Sequence, residues 1–431
     1  MKIFFIQLMF GLTILFNSSL TQAQTVTTFA GSGIQGNTDG TGMAAQFSNP
    51  MGICKDAAGN LYVADTGNSR IRKITPEGQV TTLAGSGTYG NADGTGTAAQ
   101  FNRPTGITVD NAGNLYVVDS ASGRIRKITP QGQVSTLAGN YYGYAEGTGT
   151  AALFNRPEGI AVDTAGNLYV ADMDNNRIRK ITPQGQVTTL AGGTHGSADG
   201  PGTTAQFINP HAITIDTAGN LYLTDSGYAR IRKITPQGLV TTLAGSTQGY
   251  ADGVGTAAQF FSPTGITSDT NGNIYVADTY NYRIRKITSQ GQVTVTTLAG
   301  STQGYADGIG TAALFNEPGG IIVGNDGNLY IADTRNNRIR KITLQVLGTT
   351  ETDKAAKVKI YPNPAGDFIT IDASPLKNAS ARLYDTSGKL IKSTPLKNSK
   401  NTLNVSELPK GAYIIEILSP EGNTSQKLIK K

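Results

Sequence analysis

The 431-residue chain contains no tryptophan, a single cysteine and two histidines. One cysteine, Cys54, allows no intramolecular disulfide, so stability must come from the fold itself. It lies in a stretch that reads as a strand, where a buried small hydrophobe fits better than a nucleophile. Two histidines, His195 and His211, exclude a multi-histidine zinc centre, and no metal or cofactor is expected. Nucleophile-elbow, P-loop and zincin motifs are missing as well. Charged residues are scarce at 15%, whereas glycine reaches 54 residues, a turn-rich and β-leaning balance.

Long apolar runs are confined to the N-terminus. Lys2 precedes an apolar run at 3–16, too short for a comfortable membrane span, and then come polar residues ending in Thr21 and Ala23. This is the layout of a secretory signal, with cleavage expected between Ala23 and Gln24. A buried N-terminal helix is the competing reading. No cysteine follows the run closely, which argues against a lipoprotein anchor, and no transmembrane segment is expected once the signal is removed. The net charge of +6 invites a nucleic-acid partner, but 22 basic and 22 acidic residues cancel between Gln24 and Gly348. From Thr349 onward 13 basic residues face 8 acidic ones. The basic character thus belongs to the tail, and the main body lacks the net field that phosphate binding needs. No nucleic-acid partner is expected.

Internal repetition dominates the chain. Tyr62, Tyr116, Tyr169, Tyr222, Tyr275 and Tyr330 recur at spacings of 54, 53, 53, 53 and 55 residues, a period that indicates a propeller or solenoid. Each unit reads as four strands. In the second they lie at 106–110, 115–119, 124–129 and 133–139, with turns at Gly113-Asn114 and Pro130–Gly132. Such units cannot bury both faces alone and must stack, radially or linearly. The ends of the array discriminate. RIRKIT at 338–343 has no TTLAG strand after it, whereas an orphan TVTTFAG at 25–31 precedes the first unit. Residues 25–30 are therefore expected to supply the outer strand of the last unit, leaving no open edge. The expected fold is all-β: a six-bladed β-propeller closed by the N-terminal strand, plus a small C-terminal β-sandwich.

The pattern P-x-G-I-x-V-D-x-x-G-N-L-Y-V-A-D-x-x-N-x-R-I-R-K-I, as at 157–181, resembles the NHL repeat, in six copies across 25–345. The resemblance implies a propeller acting in binding or scaffolding. A few members are lyases, which rely on metal and histidine groups that this chain mostly lacks. The copies exceed the ~40–45 residues usual for a blade. The excess lies in one loop, such as 86–104, where G-x-A-D-G-x-G-T-A-A-x-F recurs. Ala98, Ala99 and Phe101 suggest a single helical turn capped by Thr97 and packed over the blade. The acidic column Asp39, Asp93, Glu146, Asp199, Asp252 and Asp307 resembles a ring of metal ligands. One carboxylate per unit is better explained by the backbone N–H groups of its own turn. R-I-R-K holds 18 of the 22 basic residues of the main body, and a solvated rim with local pairs such as Asp65 with Arg70 is expected.

If repetition marks structure, function belongs where the copies differ. The residue after each proline is Met51, Thr105, Glu158, His211, Thr264 or Gly319. The short top loops carry Tyr228, Tyr280, Tyr282 and Arg335, and the long loops Tyr89, Tyr142, Tyr144, His195, Tyr250 and Tyr305. Together they suggest aromatic stacking surfaces around a polar centre, suited to a glycan or an extended peptide or protein ligand. Ordinary loop drift is the competing reading. The ligand-binding candidates are Glu158, His211, His195, Tyr142, Tyr228, Tyr280, Tyr282 and Arg335. A Glu158/His211 acid–base pair at the channel mouth, serving an extracellular lyase or hydrolase, is the alternative. A monomeric, non-enzymatic binding module comes first.

The composition shifts to a Thr/Lys-rich linker at 349–357. Beyond it, Tyr361-Pro362-Asn363-Pro364, Leu383-Tyr384-Asp385 with Gly388, Leu408 with Gly411 and Tyr413, and the lysine-rich end resemble the type IX secretion C-terminal sorting domain of Bacteroidota. A generic adhesive sandwich is the competing reading. The resemblance implies periplasmic passage, engagement of the type IX machinery, and arrival at the cell surface or in the medium. The expected order is signal 1–23, propeller 24–348, linker 349–357 and sorting domain 358–431.

Overall fold

The structure is a computed structural model, and it describes residues 24–288, 291–344, 358–373, 379–385, 390–419 and 424–431. Ala23, the linker and Gly388 lie outside the described residues. The chain divides into two compact units, Gln24–Leu344 and a second that holds Gln345–Lys431.

In the first unit each copy of the repeat folds into a five-stranded antiparallel sheet, one strand more than expected. The third copy runs in the order Gly147–Thr148, Gln186–Gly192, Arg177–Ile181, Leu168–Asp172, Pro157–Val162. The extra strand is a two-residue piece of the long loop laid on the outer edge, where Gly147 pairs with Val187. In the sixth copy Gln24–Ala30 takes the outer place, pairing along Arg338–Leu344 from Gln24 with Leu344 to Ala30 with Ile339. It also receives the short strand Gly308–Ile309.

Period-2 alternation sends apolar side chains to both faces of each sheet, and apolar clusters join consecutive sheets. Tyr116, Val118 and Ile125 of the second copy pack against Leu168, Val170 and Ile181 of the third, with Phe154 of the long loop between them. Val26 enters the cluster shared by the fifth and sixth copies. Ala332 and Ile339 of the sixth copy share a cluster with Leu61 and Val63 of the first. Phe154 and its counterparts Phe47, Phe101, Phe207, Phe260 and Phe315 are fully buried. At about 1.5–3 kcal/mol each, they make the long loop part of the core. Its helical turn is a 3-10 turn, Gly96–Ala98, and the cap position belongs to Thr95 rather than Thr97, with no side-chain capping bond.

The expected solvated rim is not what the basic motif makes. The second arginine of every copy, Arg72, Arg126, Arg179, Arg232, Arg285 and Arg340, is fully buried. Asp65 is bonded to Arg72 at 2.8 Å, whereas Arg70 is its partner only in backbone register. The physical reason is burial. A carboxylate without water needs its counter-charge in the same dry layer, and the guanidinium of Arg70 turns instead to the Ser86 carbonyl at 3.2 Å. Arg72 also donates to the carbonyls of Gln46 and Thr38, at 2.9 and 3.1 Å, and to Asp39 at 2.7 Å. One side chain thus fastens the long loop to the sheet.

The acidic column is structural, but not through its own turn. Asp39 accepts Arg72 and, at 3.2 and 3.0 Å, the backbone N–H and hydroxyl of Thr82 on the outer strand. Burial alone would raise its carboxyl; those bonds hold it below its ordinary value. Deeper in the sheet burial wins, pushing Asp119 and Asp225 up to about 6 against their arginines. Cys54 is buried in the strand Pro50–Lys55, and burial raises its thiol, as a packing role requires.

The second unit has a three-stranded sheet, Lys359–Tyr361, Phe368–Asp372 and Lys400–Asn404, and a four-stranded sheet ordered Leu390–Pro395, Ser380–Tyr384, Gly411–Leu418, Thr424–Lys430. Ile369, Ile371 and Leu403 from one share a core with Leu383, Ile415 and Leu428 from the other. Among the described residues no helix is long and apolar enough to cross a membrane.

Candidate functional site

The inner strands approach one another so closely that glycine is needed after the variable residue. A Cβ on Gly106 would lie 2.4 Å from the Glu158 carbonyl, and one on Gly159 would lie 2.4 Å from that of His211. Met51, Thr105, Glu158, His211, Thr264 and Gly319 therefore come together around a narrow well of about 80 Å³. The fourth copy breaks this rule with Ala212. There Thr224 Oγ1 accepts the Ala212 N–H at 2.9 Å and donates to the Thr264 carbonyl at 3.0 Å.

A wider cavity of about 540 Å³ at the mouth is lined by Asn49, Tyr89, Arg103, His211, Tyr280 and Arg335, among others. Of the two, the mouth falls within the ~300–1,000 Å³ of ordinary ligand pockets. Asn49, Arg103, Ser262 and Glu317 of its lining each precede an inner-strand proline, and with Arg156 and Asn209 at the same place in the other two copies all six have φ between 46° and 58°. Left-handed backbone costs a non-glycine residue about 1–3 kcal/mol, and a following proline disfavours the helical region further. Because all six copies share the conformation, it belongs to the architecture; the side chains it displays do not repeat.

Removing every charge that the repeat prescribes leaves four cations, Lys55, Arg103, Arg156 and Arg335, and five anions, Glu77, Glu158, Asp174, Glu317 and Asp326. Six of these nine form three ion pairs on this face: Arg103–Glu158 at 2.7 Å, Arg156–Asp174 at 3.6 Å and Arg335–Glu317 at 3.0 Å. Arg103, Arg156 and Glu317 were not among the sequence candidates. The signal that could have found them was this subtraction, applied to the residue before the proline as well as the one after it.

Of the eight candidates, His211, Tyr280 and Arg335 line the mouth, and Glu158 lies in the well beneath. Glu158 is 2% exposed, accepts Arg103 and Ser120 through Oε1, and its Oε2 has no hydrogen-bond partner. Its neighbour His211 is held below the usual imidazole value, chiefly by burial, with help from Arg103 and Arg156 and against the pull of Glu158. Tyr280 packs edge-on against Phe261 at 5.3 Å. The other four do not line the mouth. Tyr142 is exposed and donates to the Ala121 carbonyl at 2.9 Å. His195 and Tyr228 lie 6.5 Å apart on the fourth copy. Tyr282 occupies a left-handed position after its 3-10 turn. Tyr144, Tyr250 and Tyr305 prove structural, each stacked 3.7–3.9 Å from an arginine of the basic motif. No group of three or more histidine, cysteine or carboxylate side chains is placed to hold a metal among the described residues.

Comparison with known proteins identifies the repeat. The NHL repeat matches residues 47–74, 101–128, 154–181, 260–287 and 315–342. The chain carries NHL repeats. The fourth copy falls outside the match yet has the same strand order, and it is the copy with Ala212, Thr224 and Ser226-Gly227-Tyr228-Ala229 in variant positions. NHL repeat-containing protein 2 of Bos taurus is 29% identical over 87% of this chain and 58% of its own. The Homo sapiens protein of that name is 30% identical over 66% of this chain and 45% of its own. The chain thus spans about half the length of these curated relatives. An auxiliary nutrient binding protein from Bacteroides ovatus shares the β-propeller fold at TM-score 0.58 and 20% identity, covering 75% of this chain and 78% of that one. A Bacteroides thetaiotaomicron protein of unknown function matches at 0.58 and 23%, covering 75% and 76%.

The secretion system C-terminal sorting domain matches residues 359–431. The chain is therefore exported to the cell surface or the medium by the secretion machinery that such tails engage. Within the tail, Asn363 of the YPNP sequence donates to the Lys427 carbonyl at 2.6 Å and accepts the Ile429 N–H at 2.9 Å. The opening motif is thereby bonded to the terminal strand, while Tyr361 stays exposed and Pro362 and Pro364 flank the contact. Gly411 begins the strand Gly411–Leu418, and buried Tyr413 on it donates to the Pro409 carbonyl at 2.7 Å.

Proposed function

We propose that the six sheets close into one six-bladed propeller and that its mouth binds a saccharide chain outside the cell. The pairing of Gln24–Ala30 with the last copy, and the apolar cluster common to the last and first copies, support closure. The observation that carries the binding reading is the concentration of non-repeated charge, histidine and tyrosine around one cavity of ligand size. The polar side chains and the exposed Tyr89 and Tyr280 suit a ligand with hydrogen-bonding edges and flat faces. Two similar folds are described as auxiliary nutrient binding proteins, a role of the same kind. The mature protein would begin at Gln24, act as a monomer without a cofactor, and lose or keep its tail at the surface.

The test is to screen the purified full chain against immobilised oligosaccharides and peptides, with Tyr280→Ala and Arg335→Ala beside it. Saccharide binding weakened about tenfold or more by these changes is the expected result. Saccharide hits that both variants leave intact would refute the mouth, and hits among peptides alone would refute the ligand class. An enzymatic reading has one observation in its favour, an imidazole at His211 that burial holds below its ordinary pKa, beside the buried side chain of Glu158. Turnover of a bound saccharide that disappears in His211→Ala would replace binding with catalysis.

A further inference from the structure

The three ion pairs, two of which place an arginine in the lining of the mouth, share an orientation. Arg103 is 39% exposed over a Glu158 side chain at 1%, Arg156 is 47% exposed against 30% for Asp174, and Arg335 is 56% exposed against 30% for Glu317. Each pair is neutral in sum, yet each turns its cation toward solvent and its anion inward. The main body has no net charge, but the mouth has an outward-facing positive surface.

Glu158 makes this arrangement more than a property of long side chains. It is the only carboxylate among the six residues that follow the inner-strand prolines; the others are Met51, Thr105, His211, Thr264 and Gly319. A buried carboxylate with one unpartnered oxygen is costly to keep. Its one charged contact is Arg103, reached from the neighbouring copy at 2.7 Å. That contact, with the Ser120 hydroxyl 3.4 Å from the same guanidinium nitrogen, uses one corner of a five-donor fork. The remaining donors belong to a side chain that lines the cavity. A planar fork anchored from below and open above matches a carboxylate, which it can take in two parallel hydrogen bonds.

We infer that the mouth is selective for an acidic saccharide, one carrying uronic-acid carboxylates, with Arg103 as the anchor for a carboxylate and Glu158 as the residue that positions Arg103. This rests on the saccharide reading above and goes further by naming the charge of the ligand.

The experiment uses the full chain and pairs of ligands that differ only in charge: oligogalacturonides and oligomannuronates as free acids, the same oligomers as methyl esters, and neutral malto- and xylo-oligosaccharides. The free acids should bind at least tenfold more tightly than their esters, and the difference should shrink as sodium chloride rises from 50 to 500 mM, on the screening expected of exposed charges. Arg103→Met should remove most of the acid-over-ester preference, and Arg103→Lys should restore only part of it, because a lysine keeps the charge without the fork. Glu158→Gln should lower the same ratio, a readout that a purely structural role would leave unchanged. The comparison of acid with ester on the unaltered protein needs no variant to fold. Equal affinity for acid and ester, or binding of neutral oligomers alone, overturns the charge preference and leaves the saccharide reading standing. Binding to no saccharide of either kind overturns both.

Discussion

The Arg72–Asp65 and Arg103–Glu158 pairs are both short, at 2.8 and 2.7 Å, and both hold a carboxylate shielded from water. They differ in everything around the carboxylate. Arg72 is fully buried and bridges two acids and two carbonyls, as do its counterparts in every copy but the third, where Arg179 holds one acid and two carbonyls. Arg103 is partly exposed, satisfies one acid, and has no counterpart with the same partner elsewhere. The repeated pair removes conformational freedom from the long loop, so its position in the sheet is what matters. The unique pair leaves donors open at a cavity, so its outward side matters. An ion pair that recurs with the fold is therefore read as a fastener, and one that breaks the repeat as a candidate contact.

The contrast predicts very different costs of disruption. The largest effect should come from deleting residues 24–30, which strips a whole strand and Val26 from the last sheet. The full chain should then lose its cooperative unfolding transition, and a deletion variant that melts like the parent would dismiss the strand's closing role. Next, Arg285→Met leaves Asp278 buried beside nothing of opposite charge and frees Asp252. Breaking such a buried pair costs about 3–5 kcal/mol, measurable by denaturant titration; a loss below about 1 kcal/mol would place these arginines with ordinary surface pairs.

The mouth should behave in the opposite way. The double substitution Arg103→Met with Glu158→Met removes a single pair together with its desolvation penalty, so stability should stay within about 1 kcal/mol of the parent or rise. If the double variant unfolds as readily as Arg285→Met, the distinction between fastener and contact is lost. The smallest effect concerns His211. Its folded-state pKa is depressed below 6.5, so the unfolded chain binds the proton more tightly. The stability it contributes is present above pH 6.5 and declines as pH falls through that value. Proton titration by NMR should find the His211 imidazole neutral below pH 6.5, and His211→Gln should flatten the acid side of the stability profile slightly.

Much of the fold is legible because the repeat states its own period and its own missing strand. The orphan TVTTFAG segment and the truncated last copy are complementary in sequence, and Gln24–Ala30 lies where that offset requires. The fifth strand was not legible, since two residues such as Gly147–Thr148 are too short to carry any alternation. The basic motif misled for a related reason. R-I-R-K reads as charge alternating with one isoleucine, and nothing local says that the second arginine has a buried aspartate and a loop waiting for it. Among site residues, the variable position after the proline pointed to Glu158 and His211. Reading only that position missed Arg103, Arg156 and Glu317, two residues earlier on the other side of the proline, and the long-loop reading overvalued Tyr144, Tyr250 and Tyr305. Those rings repeat in a subset of copies because they stack on repeated arginines.

The sequence by itself determined the number of copies, the order of the four longer strands within each and the destination of the protein. Period, turn chemistry and the sorting motif are local properties written in consecutive residues. Which charges are buried and which face solvent was decided only by the tertiary structure. Asp65 and Arg72 meet because one long side chain reaches back across a sheet into a dry layer. Glu158 and Arg103 meet because two inner strands from neighbouring copies pack close enough to exclude a Cβ. Burial depends on what the rest of the chain brings alongside, and no window of sequence contains that information.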